Sequence, residues 1–260
     1  SKKYRCLKSQ ERGSNFRAVY ERSVQEKLAG EDGVRISGVI SNRPEAGGLT
    51  FAKENNIPFK VIDHKEYPLV KLFEEELIKV PARIFDADLI VLAGFMEIFD
   101  TVFVNAFEGR ILNIHPALLP MFPGLHTHER ALEAEFEFMV LLHFVSAVLD
   151  GGAIVGQAAV PVLAGDTPDE LAARVLKQEH ILYPRAVGLV AEGRVRLENG
   201  RTIMDRGASQ ELAIPAEPLA TRSNKLESKT NRSGAARPGR RREAPKRHLT
   251  DRQRAAKERL

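Results

Sequence analysis

Only one cysteine, Cys6, occurs in the 260 residues, so no disulfide can close within the chain. That usage fits a reducing compartment. Long apolar runs are missing too: nothing approaches the roughly 18 consecutive apolar residues that a membrane-spanning helix requires. The opening Ser1-Lys2-Lys3-Tyr4 leads into no apolar signal-peptide core. These absences point to a soluble, cytoplasmic protein with no membrane partner. Neither an internal repeat nor a His-x-x-x-His or Cys-x-x-Cys spacing is found. His115, His126, His128 and His143 fall close together, but His126 and His128 diverge on a helix, so no metal is expected.

What is present is a hydrophobic content of 43 %, enough for one sizeable core or for a domain with an appendage. The isoelectric point of about 9.2 suggests a nucleic-acid binder until charge is divided by position. Residues 206–260 hold 15 Lys and Arg against 6 Asp and Glu, a net +9, which leaves 24 against 29, or −5, for residues 1–205. Basicity therefore belongs to the tail. Beyond Asp205, Gly, Pro, Ser, Arg and Lys dominate, a composition that buries too little apolar area to offset its ordering entropy. The expected organisation is a domain over 1–205 and a disordered basic tail over 206–260. Nucleic acid would be contacted at most weakly, through that tail.

Within 1–205, apolar runs of strand length alternate with segments of helical period, the pattern of an α/β fold whose open, mostly parallel twisted sheet carries helices on both faces. Strands are expected at Val34–Ile40, Pro58–Ile62, Ala87–Leu92, Arg110–Ile114, Val140–Val145 and Ala153–Val162. Helices are expected at Asn15–Leu28, Gly47–Asn55, Leu69–Val80, Met96–Ala106 and His126–Glu135. The best-marked helix starts after Thr167, with Pro168 in the first turn and Glu170 at the capping-box position, and runs to about Val190 with a kink at Pro184. Asn199-Gly200 marks a two-residue hairpin turn.

Asn113 and His115 end an apolar strand stopped by Pro116. In open α/β sheets ligands bind at that carboxyl edge, and a spacing of two puts both side chains on one face. The pair reads either as a donor amide and a titratable imidazole sharing a cleft, or as a turn asparagine beside a solvated histidine. Asp150 before Gly151-Gly152 suits a mobile loop that carries a carboxylate to a cleft, or an ordinary turn. Gly13-Ser14-Asn15, leading into an amphipathic helix, could hold a phosphate on helix N-terminal amides or simply cap the helix.

Gly13-Ser14-Asn15, Ile40–Arg43, Leu92–Met96, Leu112–Pro120, Pro123–His128, His143-Phe144-Val145, Leu149–Gly152 and Gln178-Glu179-His180 together resemble the phosphoribosylglycinamide formyltransferase family, a Rossmann-like group of folate-dependent enzymes. The resemblance spans residues 1–205. It implies transfer of the formyl group of 10-formyltetrahydrofolate, as co-substrate, to glycinamide ribonucleotide in purine biosynthesis, by a monomer or homodimer. It further implies that His115 is the general acid, Asn113 an oxyanion donor and Asp150 the charge that keeps the imidazole protonated, with His143 in support. By the same resemblance Gly13, Ser14, Asn15, Lys177 and Glu179 hold the ribonucleotide. Met96, Glu97, Ile98, Phe99, Asn113, Ser146, Ala147, Val148, Leu149 and Asp150 line the folate pocket.

Three stretches depart from that pattern. Glu11 replaces a glycine, Val70 stands where an arginine contacts folate, and Phe138–Leu142 replaces a run reading His-Gly-Thr-x-Val, an altered packing that bears on His143. These departures keep open two further readings: a related folate-dependent hydrolase or formyltransferase, or a homologue that binds folate or nucleotide and turns over weakly.

Overall fold

The computed structural model describes residues 3–8, 13–28, 34–94, 99–116, 138–146, 148, 151–163 and 165–214. Seven strands form one sheet: β1 (Lys3–Lys8), β2 (Arg35–Ser41), β3 (Phe59–Val61), β4 (Leu89–Leu92), β5 (Ile111–His115), β6 (Phe138–Phe144) and β7 (Ile154–Val160). They are ordered β3-β2-β1-β4-β5-β6-β7. The first five are mutually parallel, whereas β6 runs antiparallel to β5 and β7 antiparallel to β6. Chain order reverses between β1 and β4, the switch point at which open sheets of this kind leave a crevice.

The helices are α1 (Ser14–Leu28), α2 (Gly47–Glu54), α3 (Val70–Lys79), α4 (Thr101–Ala106), α5 (Pro168–Ala191) and α6 (Ala208–Leu212). Alternation along the strands assigns the two faces. Val91, Leu112, Ile114, Leu142 and Phe144 pack with α5 residues such as Val175, Leu182 and Val187. Ile90, Leu92 and Ile111 pack instead with Leu77 of α3 and Phe103 of α4. Phe16 of α1 joins Val39 and the α2 residues Leu49 and Ala52. A separate hairpin, β8 (Val195–Glu198) and β9 (Arg201–Met204), turns at Asn199-Gly200, where both residues take positive φ. Past Asp205, α6 buries Ala208 and Leu212 in the core that α5 helps to build.

Local chemistry explains most boundaries. Thr167 and Glu170 form the reciprocal capping box: the Glu170 amide donates to the Thr167 hydroxyl (3.3 Å) and the Thr167 amide to the Glu170 carboxylate (2.9 Å). A cap of this kind stabilises a helix by about 1 kcal/mol. Helical conformation continues through Pro184 to Ala191. The helix expected from Met96 starts at Thr101 instead, because the Asp100 carboxylate accepts from the amides of Val102 (2.7 Å) and Phe103 (3.0 Å) while Asp100 itself stays extended. Met96 and the helix expected over 126–135 lie outside the described residues. Strand β1 has no counterpart among the expected strands, since Lys3-Tyr4-Arg5-Cys6-Leu7-Lys8 lacks the continuous apolar run of a central parallel strand.

Candidate active site

Strand β5 carries Asn113 and His115 to the carboxyl edge on the face covered by α3 and α4, opposite to that of Leu112 and Ile114. His115 is buried, at 6 % exposure. The antiparallel neighbour β6 pairs His143 directly with Asn113. Cross-strand partners project to the same side, so the imidazole and the amide meet: Asn113 Nδ2 lies 3.4 Å from His143 Nε2.

The other ring nitrogen decides the tautomer. His143 Nδ1 lies 2.9 Å from the Phe144 carbonyl oxygen, which can only accept, so Nδ1 carries the proton and donates. In the neutral ring Nε2 is then the acceptor, and the Asn113 amide is assigned with its NH₂ end toward it. One hydrogen of that NH₂ serves His143 and the second is left over for another acceptor.

The departing run at 138–142 lies within the strand that carries His143. It forms the body of β6, Leu142 is fully buried, and beside His143 the β6–β7 register skips Val155, passing from Leu142↔Gly156 to His143↔Ile154. Such a bulge bends a strand and re-aims side chains. The loop between β6 and β7 closes back on the same point. Val145 donates to the Ile111 carbonyl (2.9 Å) and Phe144 to that of Ala153 (2.9 Å). A Cβ on Gly152 would lie 1.6 Å from the Phe144 oxygen and 3.2 Å from His143 Nδ1, so only glycine permits this backbone to rest on the carbonyl that takes the His143 proton.

Within that loop the Ser146 hydroxyl donates to the Val148 carbonyl (3.1 Å), and Val148 is 67 % exposed. Ala147, Leu149 and Asp150 lie outside the described residues, as do Met96, Glu97 and Ile98. Phe99 stacks on Phe103 with ring centroids 4.3 Å apart. Val70 opens α3 at 72 % exposure, and the adjacent Lys71 pairs with Glu75 one turn on (3.9 Å). Glu11 lies outside the described residues.

On the other side of the switch point Gly13 adopts a φ of 67° and accepts the Arg17 amide (2.9 Å) as α1 begins at Ser14. Asn15 Nδ2 donates to Glu179 Oε2 at 2.7 Å, joining the start of α1 to the middle of α5. Burial pushes the Glu179 carboxyl above its ordinary value, and the Asn15 hydrogen bond partly opposes this. Asn15 Oδ1 and the neighbouring Gln178 Oε1 are buried without a hydrogen-bond partner. Lys177 is exposed, about 200° around the helix from Glu179. The structure thus brings together Asn113 and His143, with His115 two residues further along β5, and separately Asn15 and Glu179. Among the described residues no cluster of three or more His, Cys, Asp or Glu could hold a metal ion, and no helix is long and apolar enough to cross a membrane.

Residues 6–187 match the formyl transferase family model. Among curated proteins, the phosphoribosylglycinamide formyltransferase of Escherichia coli K12 is 39 % identical over 194 residues, covering 74 % of this chain and 89 % of its own length. The trifunctional purine biosynthetic protein adenosine-3 of Drosophila pseudoobscura is 42 % identical over 188 residues, covering 71 % of this chain but only 13 % of its own length. Among solved structures, the phosphoribosylglycinamide formyltransferase of Coxiella burnetii in complex with CHES superimposes with a TM-score of 0.73 at 40 % identity, covering 78 % of this chain and 93 % of that one.

Proposed function

The chain belongs to the formyl transferase family, and from that membership we propose that it moves the formyl group of 10-formyltetrahydrofolate onto the amine of glycinamide ribonucleotide, a step of purine synthesis. The observation that carries this reading is the apposition of Asn113 and His143 across the β5–β6 register, with His115 two residues further along the same face.

The amine lone pair attacks the formyl carbon, a C–N bond forms, and the carbonyl electrons move onto oxygen. His115 as imidazolium and the second Asn113 amide hydrogen donate to that oxyanion; one such donor contributes roughly 3 kcal/mol in other enzymes. Asp150 completes the catalytic group as the carboxylate that works with His115. Collapse breaks the bond to N10 of the folate, which takes up one proton as the amine nitrogen gives one up. Transfer is direct, without a covalent enzyme intermediate or a metal.

Gly13, Ser14 and Asn15 hold the phosphate on the first amides of α1, and Glu179 receives the rest of the ribonucleotide, while Lys177 lies on the other side of α5 from Glu179. Phe99, Ser146 and Val148 belong to the folate pocket with Met96, Glu97, Ile98, Ala147, Leu149 and Asp150.

The test is turnover of the purified chain with glycinamide ribonucleotide and 10-formyltetrahydrofolate, followed by absorbance as tetrahydrofolate appears. Ribonucleotide-dependent turnover is expected, and His115→Ala should lower kcat by at least about a hundredfold while folate affinity holds. Folate binding without turnover would overturn the reading, and product formed without ribonucleotide would make the reaction a hydrolysis.

A further inference from the structure

Tyr183 is fully buried on α5 and faces the sheet from the side opposite to the Asn113 and His115 side chains. Its hydroxyl reaches two backbone carbonyls on adjacent strands, that of Leu92 at 2.5 Å and that of Leu112 at 3.1 Å. Both acceptors belong to the candidate site. Leu112 immediately precedes Asn113, and Leu92 is the β4 residue in register with Asn113. Leu92 is also the last residue of β4 before the chain turns toward the proposed folate loop.

A phenol has one proton to donate, so the two carbonyls share it and are drawn to a common point below the sheet. Four residues earlier on the same face of α5, Glu179 accepts from Asn15. One helical turn of α5, about 6 Å along its axis, therefore fixes the start of α1 with one side chain and the carboxyl ends of β4 and β5 with the next.

We infer that Tyr183 is a positioning residue, which sets from the far face of the sheet the backbone from which Asn113 projects and holds it in register with Glu179. The inference rests on the transfer reaction proposed above. It predicts a loss confined to chemistry, because a displacement of the oxyanion donor by a fraction of an ångström weakens the transition state more than either bound substrate.

Tyr183→Phe removes the hydroxyl and keeps the ring. Assayed well below its unfolding midpoint, it should show kcat lowered roughly tenfold with KM for both substrates within about threefold of wild type. The side-chain amide signals of Asn113, identified in ¹H–¹⁵N spectra by their loss in Asn113→Ala, should shift. A lower unfolding midpoint with wild-type kcat and unmoved Asn113 signals would overturn the inference and leave Tyr183 a purely structural residue. If wild type itself does not turn over, the reaction fails as a reading, while the Asn113 signals still decide the position of the amide. Tyr183→Met, which fills the space without a hydroxyl, is read in the same two ways should the phenylalanine variant not accumulate.

Discussion

A single buried proton orders the candidate site. The proton on His143 Nδ1 is fixed by the Phe144 carbonyl, and this leaves Nε2 as the acceptor facing Asn113. The amide is thereby oriented before any substrate arrives. A further buried titratable group, Glu179, gives a prediction at this scale. Desolvation raises its folded-state pKa above the ordinary carboxylate value, partly offset by Asn15. The native state therefore binds a proton more tightly than the unfolded chain, and Glu179 favours folding below the unfolded pKa. That contribution is lost as pH rises through the folded pKa. Glu179→Gln keeps the acceptor for Asn15 and removes the titration. Chemical denaturation at several pH values should find the variant the more stable of the two at neutral pH, with the difference shrinking toward pH 4. A constant difference across that range would show that Glu179 does not titrate in the window.

Elements differ in how plainly the chain announces them. The α5 start was written in Thr167-Pro168 and Glu170, and the β8–β9 turn in Asn199-Gly200, because caps and tight turns are local chemistry. The parity of Asn113 and His115 was equally legible. Their partner was not: which residue stands opposite Asn113 depends on the β6 register and on the bulge at Val155, and periodicity encodes neither. Strand β1, interleaved with Lys and Arg, was hidden for a related reason, as its central place is decided by β2 and β4 on either side. Tyr183 carries no local signal of its role, since a hydroxyl's acceptors on distant strands leave no trace in spacing. Gly152 was visible as half of a glycine pair, but the carbonyl beneath it was not. Gly152→Ala should cost at least about 2 kcal/mol in urea denaturation, because the added carbon meets backbone that cannot rotate away. It should also depress kcat by disturbing the carbonyl that holds His143. A variant with wild-type stability would mean that the loop can lift off Phe144 freely.

At the scale of the whole molecule, charge and fold are separable. Every described element falls inside one unit that ends at Leu219. Residues 220–260 hold 14 Lys and Arg against 4 Asp and Glu, so their removal turns the net charge from +4 to −6. Ending the chain at Leu219 should leave turnover within about twofold while abolishing any mobility shift of single-stranded DNA at low salt, as expected when phosphate contacts come from Lys and Arg alone. Loss of turnover in the shortened chain would assign the basic segment to the reaction.

Inside that unit, the hydrogen bond from Asn15 to Glu179 joins residues 164 positions apart, and Tyr183 reaches back 91 positions to Leu92. During synthesis the ribosome delivers β1 to β5, with Asn113 and His115, well before α5 leaves the exit tunnel. Until then the sheet face that α5 covers stays open, and exposed apolar surface of that kind is aggregation-prone. The contact between Asn15 and Glu179 can form only after α5 has emerged, so a chain stalled before that point carries Asn113 and His115 but lacks the partner of Asn15.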